Sequence, residues 1–185
     1  MLYHPAKLEL VSNNTFAYRV LNDWLKPMLI ALGCVLVINL FFPRYAVLGH
    51  SMEPGLHEND RLFVSNVEVI TNSISRGEIV VLFAPGDNEI VVKRVIGLPG
   101  ETVDIYDGIV RINGAILYES YIRERARFRG HWEVGENEYF VLGDNRNASR
   151  DSSEYGPVSI SRISGVVKFR FWPLNAARVF QTPEY

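Results

Sequence analysis

Residues 102–117, TVDIYDGIVRINGAIL, decide how the larger part of this chain folds. Short apolar runs are separated here by two dipeptides, Asp107-Gly108 and Asn113-Gly114. Both dipeptides favour the tight turns that join antiparallel strands, because Asp, Asn and Gly tolerate the positive φ angles that such turns need. The stretch therefore predicts a small β-meander.

Similar apolar stretches recur on both sides of the meander. They cover residues 61–67, 78–84, 90–96, 138–142 and 164–172. Helical periodicity is nearly absent between them, and turn residues separate them. Residues 44–185 are therefore predicted to form one mainly antiparallel β domain, with a less regular subdomain or flap near residues 102–138.

An uncharged run stands apart from the rest of the sequence. Residues 27–43, PMLIALGCVLVINLFFP, form 17 consecutive positions without a charge, between Lys26 and Arg44. As a helix they would rise about 25 Å, the short end of what spans a bilayer core. Asn39 is the one polar interior residue, which argues against an amphipathic core helix. No small-x-small cleavage site follows the run, which argues against a removable signal peptide.

The sequence therefore predicts three parts: an N-terminal segment at residues 1–26, a transmembrane anchor at 27–43 and a β domain at 44–185. The slight excess of basic residues before the run places the N-terminus inside the cell and the β domain outside, with a single pass through the cell membrane. Residues 1–44 carry a formal charge of +2 and residues 45–185 a charge of −4.

Composition excludes several functional classes. The 185 residues hold 48% hydrophobic residues and 22% charged ones, which excludes a disordered chain. A formal net charge of −2 excludes a broadly cationic nucleic-acid binder. The single cysteine, Cys34, excludes an intrachain disulfide and a cysteine-based metal cluster.

Two polar residues each allow a structural and a catalytic interpretation. Ser51, in GHSMEP, is either a turn residue or a nucleophile, and neighbouring His50 would point away from it on an extended chain. Lys93, in IVVKRVIGLPGE, is either an edge-strand lysine that reaches water or a base kept neutral by burial.

Two further segments concentrate polar side chains. Residues 139–156, YFVLGDNRNASRDSSEYG, predict a strand followed by a rigid hydrogen-bonded loop, and a metal site from Asp144, Asn145 and Asp151 is an alternative interpretation. In residues 123–129, RERARFR, arginine occupies every second position. That alternation predicts one solvated strand face, with an anionic lipid site as the alternative.

Taken in order, these motifs resemble one known family. A serine in S-M-x-P after a membrane run, then K-R-V-I-G-L-P-G-E, then G-D-N-R-x-x-S-x-D-S, is the pattern of the type I signal peptidases. These are Ser-Lys serine proteases, and the resemblance covers the anchor and nearly all of the body. It implies a signal-peptidase-like β domain and a cofactor-free endopeptidase that cleaves exported preproteins after small residues.

The resemblance also implies a role for individual residues. Ser51 would be the nucleophile and Lys93, neutral at rest, its base. Ser149 would orient the lysine, and Asp151 and Arg146 would form the polar scaffold around it.

Further residues are implied to contact the substrate. Met52 would pack beneath the nucleophile, while Val47, Val91 and Val92 would lie on strands that flank an extended signal peptide. Gly49 departs from members that carry a serine there, so the oxyanion hole would depend on the Ser51 backbone N–H, with the second donor left open.

A second departure concerns Ser153, where the family often has an arginine that pairs with Asp151. We expect Arg146 or Arg150 to take that place.

The resemblance implies signal peptides as substrates, a lipid bilayer as the surroundings and the secretion translocon as a candidate partner. No metal, cofactor or nucleic acid is expected. Two alternatives remain open: a non-catalytic, membrane-tethered β module that binds extended peptides, and a self-cleaving Ser-Lys repressor-type protease. The second would need a DNA-binding or partner domain, which the hydrophobic N-terminus does not supply.

Overall fold

The computed structural model describes residues 18–41, 43–86 and 89–182. The N-terminal part is helical: a π-helical turn at Leu21–Leu25 leads into helix α1, Lys26–Phe41. The helical stretch Tyr18–Asn39 has 22 residues and is long and apolar enough to cross a membrane. At 1.5 Å per residue it rises about 33 Å, which exceeds the hydrocarbon thickness of about 30 Å.

The C-terminal part consists mainly of antiparallel strands. Twelve strands occur within the described residues: β1 (Arg44–Ala46), β2 (Arg61–Ser65), β3 (Ile79–Phe83), β4 (Ile90–Gly97), β5 (Thr102–Tyr106), β6 (Ile109–Ile112), β7 (Ala115–Ile116), β8 (Gly130–Glu133), β9 (Glu138–Leu142), β10 (Val158–Ser159), β11 (Ile163–Trp172) and β12 (Arg178–Val179). Two short helices join them, α2 (Val67–Ile70) and α3 (Ser152–Tyr155). The predicted fold class, mainly antiparallel β with one apolar N-terminal helix, is confirmed.

The strands form two sheets. The larger has the order β1-β2-β11-β3-β4-β9-β10, with β12 paired to β11, and the smaller has the order β7-β6-β5-β8. The smaller sheet contains the predicted meander, whose turns place Asp107 and Asn113 at positive φ, 52° and 50°. Its core residues Val103 and Ile105 pack with Ile96 of β4 and Phe140 of β9, so the two sheets share one hydrophobic cluster.

Strand β4 carries different residues on its two faces, as alternation requires. One face packs Val95 with Val80 and Leu82 of β3, while the other packs Val92 near Val81. Pairing with β3 runs along Ile90–Arg94, whereas pairing with β9 begins at Arg94. In the part of the chain that the structure describes, residues 90–93 therefore have no partner strand on the β9 side. We call this segment the open edge of β4.

The predicted strand at residues 123–129 is wrong. This segment is irregular, and its backbone is held by side chains instead of a neighbouring strand. The Arg127 N–H donates to Asn147 Oδ1, and buried Ala126 and half-buried Phe128 pack against the core of the smaller sheet. The alternating arginines are exposed, but they lie on a loop.

Candidate active site

The segment that contains Ser51 is a tight turn between β1 and β2. Gly49 adopts φ +79°, a backbone conformation that residues with a side chain rarely adopt. The His50 carbonyl accepts from the Glu53 N–H at 3.2 Å, and the Met52 carbonyl accepts from the Leu56 N–H at 2.9 Å. The Met52 side chain is buried and fixes the turn to the core. Ser51 therefore lies on a well-anchored backbone.

Lys93 lies on β4 and is only 3% exposed. Burial lowers the pKa of its ammonium group below the ordinary lysine value, and the nearby carboxylates of Asp151 and Glu89 act in the opposite direction. Within the described residues Lys93 forms no ion pair. A buried amine without a paired carboxylate favours its neutral form, which is the form that can accept a proton.

The loop after β9 is organised by Asp151. Its carboxylate accepts from the Gly143 N–H at 2.9 Å and from both the N–H and the hydroxyl of Ser153, at 3.1 and 2.8 Å. Asp151 is also the N-cap of α3, so the loop and the helix begin from one fully buried side chain. The Ser149 hydroxyl is buried in this loop and has no hydrogen-bond partner among the described residues.

Gly143 is the point at which these segments meet. Continuing the β4–β9 register by one residue from Arg94–Leu142 puts Lys93 opposite Gly143. A Cβ atom built on Gly143 would lie 2.5 Å from the Ser51 carbonyl oxygen and closer still to the Ser149 hydroxyl. Gly143 therefore lies against Ser51 and Ser149, and the extended register places Lys93 across from it.

Asn145 connects the loop after β9 to the turn that contains Ser51 through two hydrogen bonds. Its backbone N–H donates to the Ser51 carbonyl at 3.0 Å, and its side-chain amide donates to the His50 carbonyl at 3.2 Å. The position of Ser51 is thus coupled to the loop after β9 through backbone atoms.

A lysine base is expected within hydrogen-bond reach of its serine, but no hydrogen bond joins the Ser51 and Lys93 side chains within the described residues. Lys93 lies on the β4 face that carries Val95, whereas Met52, next to Ser51, packs on the opposite face with Val81. The Met52 side chain therefore packs on the face of β4 opposite to the one that carries Lys93.

Arg146 has a different partner from the expected one. Its side chain is fully buried, and both terminal nitrogens donate to the Glu119 carboxylate, while Nε donates to the Gly143 carbonyl at 3.1 Å. The expected pair between Arg146 and Asp151 is therefore wrong, because Glu119 already occupies the guanidinium. Asp151 is satisfied by N–H and hydroxyl donors. Arg150 donates to the Pro85 carbonyl at 3.4 Å, and its place beside Asp151 stays a prediction.

Glu119 and Arg94 were not predicted as part of this site. Arg94 donates two hydrogen bonds to Asp144, at 2.8 and 2.6 Å, and its guanidinium lies 4.0 Å from the centre of the Tyr121 ring. Because Arg94 already binds both oxygens of the Asp144 carboxylate, this pair argues against the alternative metal site. Within the described residues, no group of three or more His, Cys, Asp or Glu side chains is arranged to hold a metal ion.

An apolar cavity of about 230 Å³ opens beside Ser51. The four residues expected to contact a substrate, Val47, Met52, Val91 and Val92, all line it together with Ser51. The remaining lining residues are Tyr45, Ala46, Leu48, Val81, Glu89 and Ile90. The cavity suits small apolar side chains of a peptide that lies along the open edge of β4.

The family model described as "Signal peptidase, peptidase S26" matches residues 21–172 of the chain. The chain belongs to this family. The predicted recognition and the predicted class of enzyme, a serine endopeptidase, are therefore confirmed.

Individual members of the family are also similar to the chain. A signal peptidase I from Bacillus amyloliquefaciens is 40% identical over 169 residues, which cover 84% of this chain and 90% of that protein. Signal peptidase I S from Bacillus subtilis is 38% identical over 181 residues, covering 90% and 97%. A crystal structure of a signal peptidase I from Enterococcus faecalis V583 has 35% identity and a TM-score of 0.47, covering 50% of this chain and 95% of that one.

Proposed function

We propose that the chain is a membrane-anchored endopeptidase that removes signal peptides from exported preproteins, with Ser51 as nucleophile and Lys93 as general base. The observation that carries the proposal is the convergence of Ser51, buried Lys93 and the unpartnered Ser149 hydroxyl around Gly143, beside an apolar cavity.

The substrate would bind as an added strand at the open edge of β4. The Ala84 N–H donates to the Glu89 carbonyl and the Val95 N–H to the Glu78 carbonyl, so the odd-numbered residues of β4 direct their backbone groups toward β3. Alternation then directs the N–H and C=O groups of Ile90 and Val92 toward the open edge. An extended signal peptide would pair with them, and its small side chains would enter the cavity.

Catalysis would follow the Ser-Lys pattern. Neutral Lys93 takes the proton of the Ser51 hydroxyl as the Ser51 oxygen attacks the scissile carbonyl carbon, and a tetrahedral oxyanion forms. The Ser51 backbone N–H would donate to that oxyanion. The Lys93 ammonium then gives its proton to the leaving amine, and water releases the signal peptide from the acyl-enzyme by the same steps.

Ser149 would orient the lysine through these steps. Its hydroxyl is buried, lies against Gly143 and has no other partner among the described residues. An unsatisfied buried hydroxyl costs about 1–3 kcal/mol, and this cost is recovered when the Lys93 ammonium donates to it. The Ser149 hydroxyl thus stabilises the protonated lysine in a fixed direction.

The N-terminal helix would be the anchor. Residues 27–43 would cross the bilayer, residues 1–26 would remain inside the cell, and the β domain from residue 44 onward would act outside. Protection of the N-terminal segment from protease added to intact spheroplasts, with digestion of the β domain, would support this orientation; the reverse pattern would contradict it.

The catalytic proposal is tested by digestion of a purified preprotein with the cut site mapped. Ser51→Ala and Lys93→Ala should each abolish cleavage while thermal unfolding stays cooperative. The matched controls are Ser161→Ala, at an exposed serine, and Lys168→Ala, at a lysine paired with Glu68 and Glu78, and both should cleave normally. Normal processing by Ser51→Ala would refute Ser51 as the nucleophile, whereas a wild-type protein that cleaves no preprotein would favour a non-catalytic peptide-binding module.

A further inference from the structure

A second cavity lies beside the turn that contains Ser51. It has a volume of about 180 Å³ and is strongly polar. Its lining residues are Glu53, Arg123, Glu124, Asp144, Asn145 and Arg146. None of them lines the apolar cavity.

The polar cavity adjoins Ser51 through its neighbours in the turn and loop. Glu53 belongs to the same turn, two residues after Ser51, and Asn145 donates its backbone N–H to the Ser51 carbonyl. The turn therefore contributes Ser51 and Met52 to the apolar cavity and Glu53 to the polar cavity. A peptide whose signal segment fills the apolar cavity, with its scissile bond at Ser51, would continue past the turn toward the polar cavity.

The acidic side chains of this lining are already paired with basic neighbours. The pairs are His50–Glu53, Arg94–Asp144 and Arg127–Glu124, with N–O distances of 2.8, 2.6 and 3.1 Å. The basic side chain of Arg146 is paired in turn with Glu119. The charges of the Arg94–Asp144, Arg127–Glu124 and Arg146–Glu119 pairs compensate one another, whereas His50 compensates the charge of Glu53 only when its ring is protonated.

Arg123 differs from the other charged residues of the cavity. Its side chain is exposed and forms no hydrogen bond or ion pair with any residue that the structure describes. It lies on the irregular loop that precedes β8, so no sheet fixes its direction. The cavity therefore presents one uncompensated positive charge close to the nucleophile.

We propose that the polar cavity receives the first residues after the scissile bond, and that Arg123 makes it favour an acidic side chain there. This inference rests on the proposed function, because it assigns the part of the substrate that would become the mature N-terminus. An exposed charge pair of this kind should raise kcat/KM for an acidic residue by about two- to fivefold over its neutral isostere. The preference should decrease as added salt screens the pair.

The experiment uses the full chain in detergent and one purified preprotein with Glu, Gln or Lys at each of the first three positions after the cut. Wild type should cleave at least one Glu substrate faster than its Gln partner, and the Lys substrate more slowly. Arg123→Gln should remove this order, so that the Glu and Gln substrates are cleaved at equal rates.

Arg129→Gln is the matched control, since Arg129 is exposed on the same segment, carries the same charge and lies outside the lining of the cavity. It should keep the wild-type preference. A second variant, Arg127→Gln, removes the partner of Glu124 and should weaken the preference by exposing a negative charge in the cavity.

The outcomes separate this inference from the proposed function. Equal cleavage of the Glu and Gln substrates by wild type would overturn the inference and leave the proposed function standing. An equal loss of preference in Arg123→Gln and Arg129→Gln would also overturn it, since the effect would then belong to general surface charge. Failure of wild type to cleave any of the preproteins would overturn the proposed function itself, and the inference with it.

Discussion

Replacing Gly143 by alanine should inactivate the enzyme without unfolding it. The added Cβ would lie 2.5 Å from the Ser51 carbonyl oxygen, whereas non-bonded heavy atoms normally stay about 3.5 Å apart. Rotation can move the Ser149 hydroxyl away but not the Ser149 Cβ, which would also lie 2.5 Å from the added atom. The Ser51 oxygen is a backbone atom held by the Asn145 N–H at 3.0 Å. The Ser51 backbone must therefore move by about 1 Å.

A displacement of that size should affect both the rate of catalysis and the stability of the fold. Misplacement of a reacting group by about 1 Å can lower the rate about 10²-fold, while overpacking of a well-packed site costs about 1–3 kcal/mol of stability. We therefore expect kcat of Gly143→Ala on a purified preprotein to fall about 10²-fold. KM should change little, because the apolar cavity does not include Gly143.

Gly114→Ala is the matched control for this prediction. Gly114 has φ +85° and open space where its Cβ would be, so the variant should lose some stability without losing activity. The assay is kcat and KM for both variants, together with thermal unfolding. A Gly143→Ala enzyme that is folded and has a wild-type kcat would refute the placement of Ser51 against Gly143.

Three further predictions concern the groups around the site. Because burial lowers the pKa of Lys93 in the folded state, the unfolded chain binds more protons below the ordinary lysine value of about 10.4, and the free energy of unfolding should rise with pH over that range. Lys93→Met should lose this rise and be more stable than wild type at neutral pH, as measured by urea unfolding at a series of pH values; equal slopes would contradict it. Glu119→Gln should lower kcat more than it raises KM, because Arg146 then loses a charged partner and holds the Gly143 carbonyl less firmly; steady-state kinetics would test this, and an unchanged kcat would count against it. Val92→Ala should widen the apolar cavity and raise cleavage after valine relative to alanine by about tenfold, since one methylene changes discrimination by about 1–3 kcal/mol. Mapped cuts in matched precursors would show whether the ratio stays at the wild-type value.

The strands were predictable from sequence because their signals are local. Asp107-Gly108 and Asn113-Gly114 fix the meander through their own backbone preferences, and the structure has turns at both. The arginines at 123–129 were misassigned because alternation alone does not make a strand. That segment has no neighbouring strand, and Asn147 fixes its backbone by accepting from the Arg127 N–H.

The site was predictable only in part. Motif order in the sequence indicated which side chains belong together, but the pairing of Arg146 with Glu119 joins residues 27 positions apart and has no local pattern. The role of Gly143 could not be predicted from the sequence either. A glycine is required there because of the atoms that surround it in the fold, and the sequence does not show which atoms those are.

The open edge of β4 also affects how the protein behaves in the absence of substrate. Unpaired strand edges attract other chains, and natural proteins usually cover them or interrupt them. An enzyme that adds its substrate as a strand must leave residues 90–93 uncovered, so the same groups that would bind a preprotein are available to another copy of the chain or to an unfolded protein. The edge is only four residues long and begins next to the charged side chain of Glu89, and both features limit the growth of an aggregate. Mutations that neutralise Glu89 should accordingly make the purified protein more prone to self-association at high concentration.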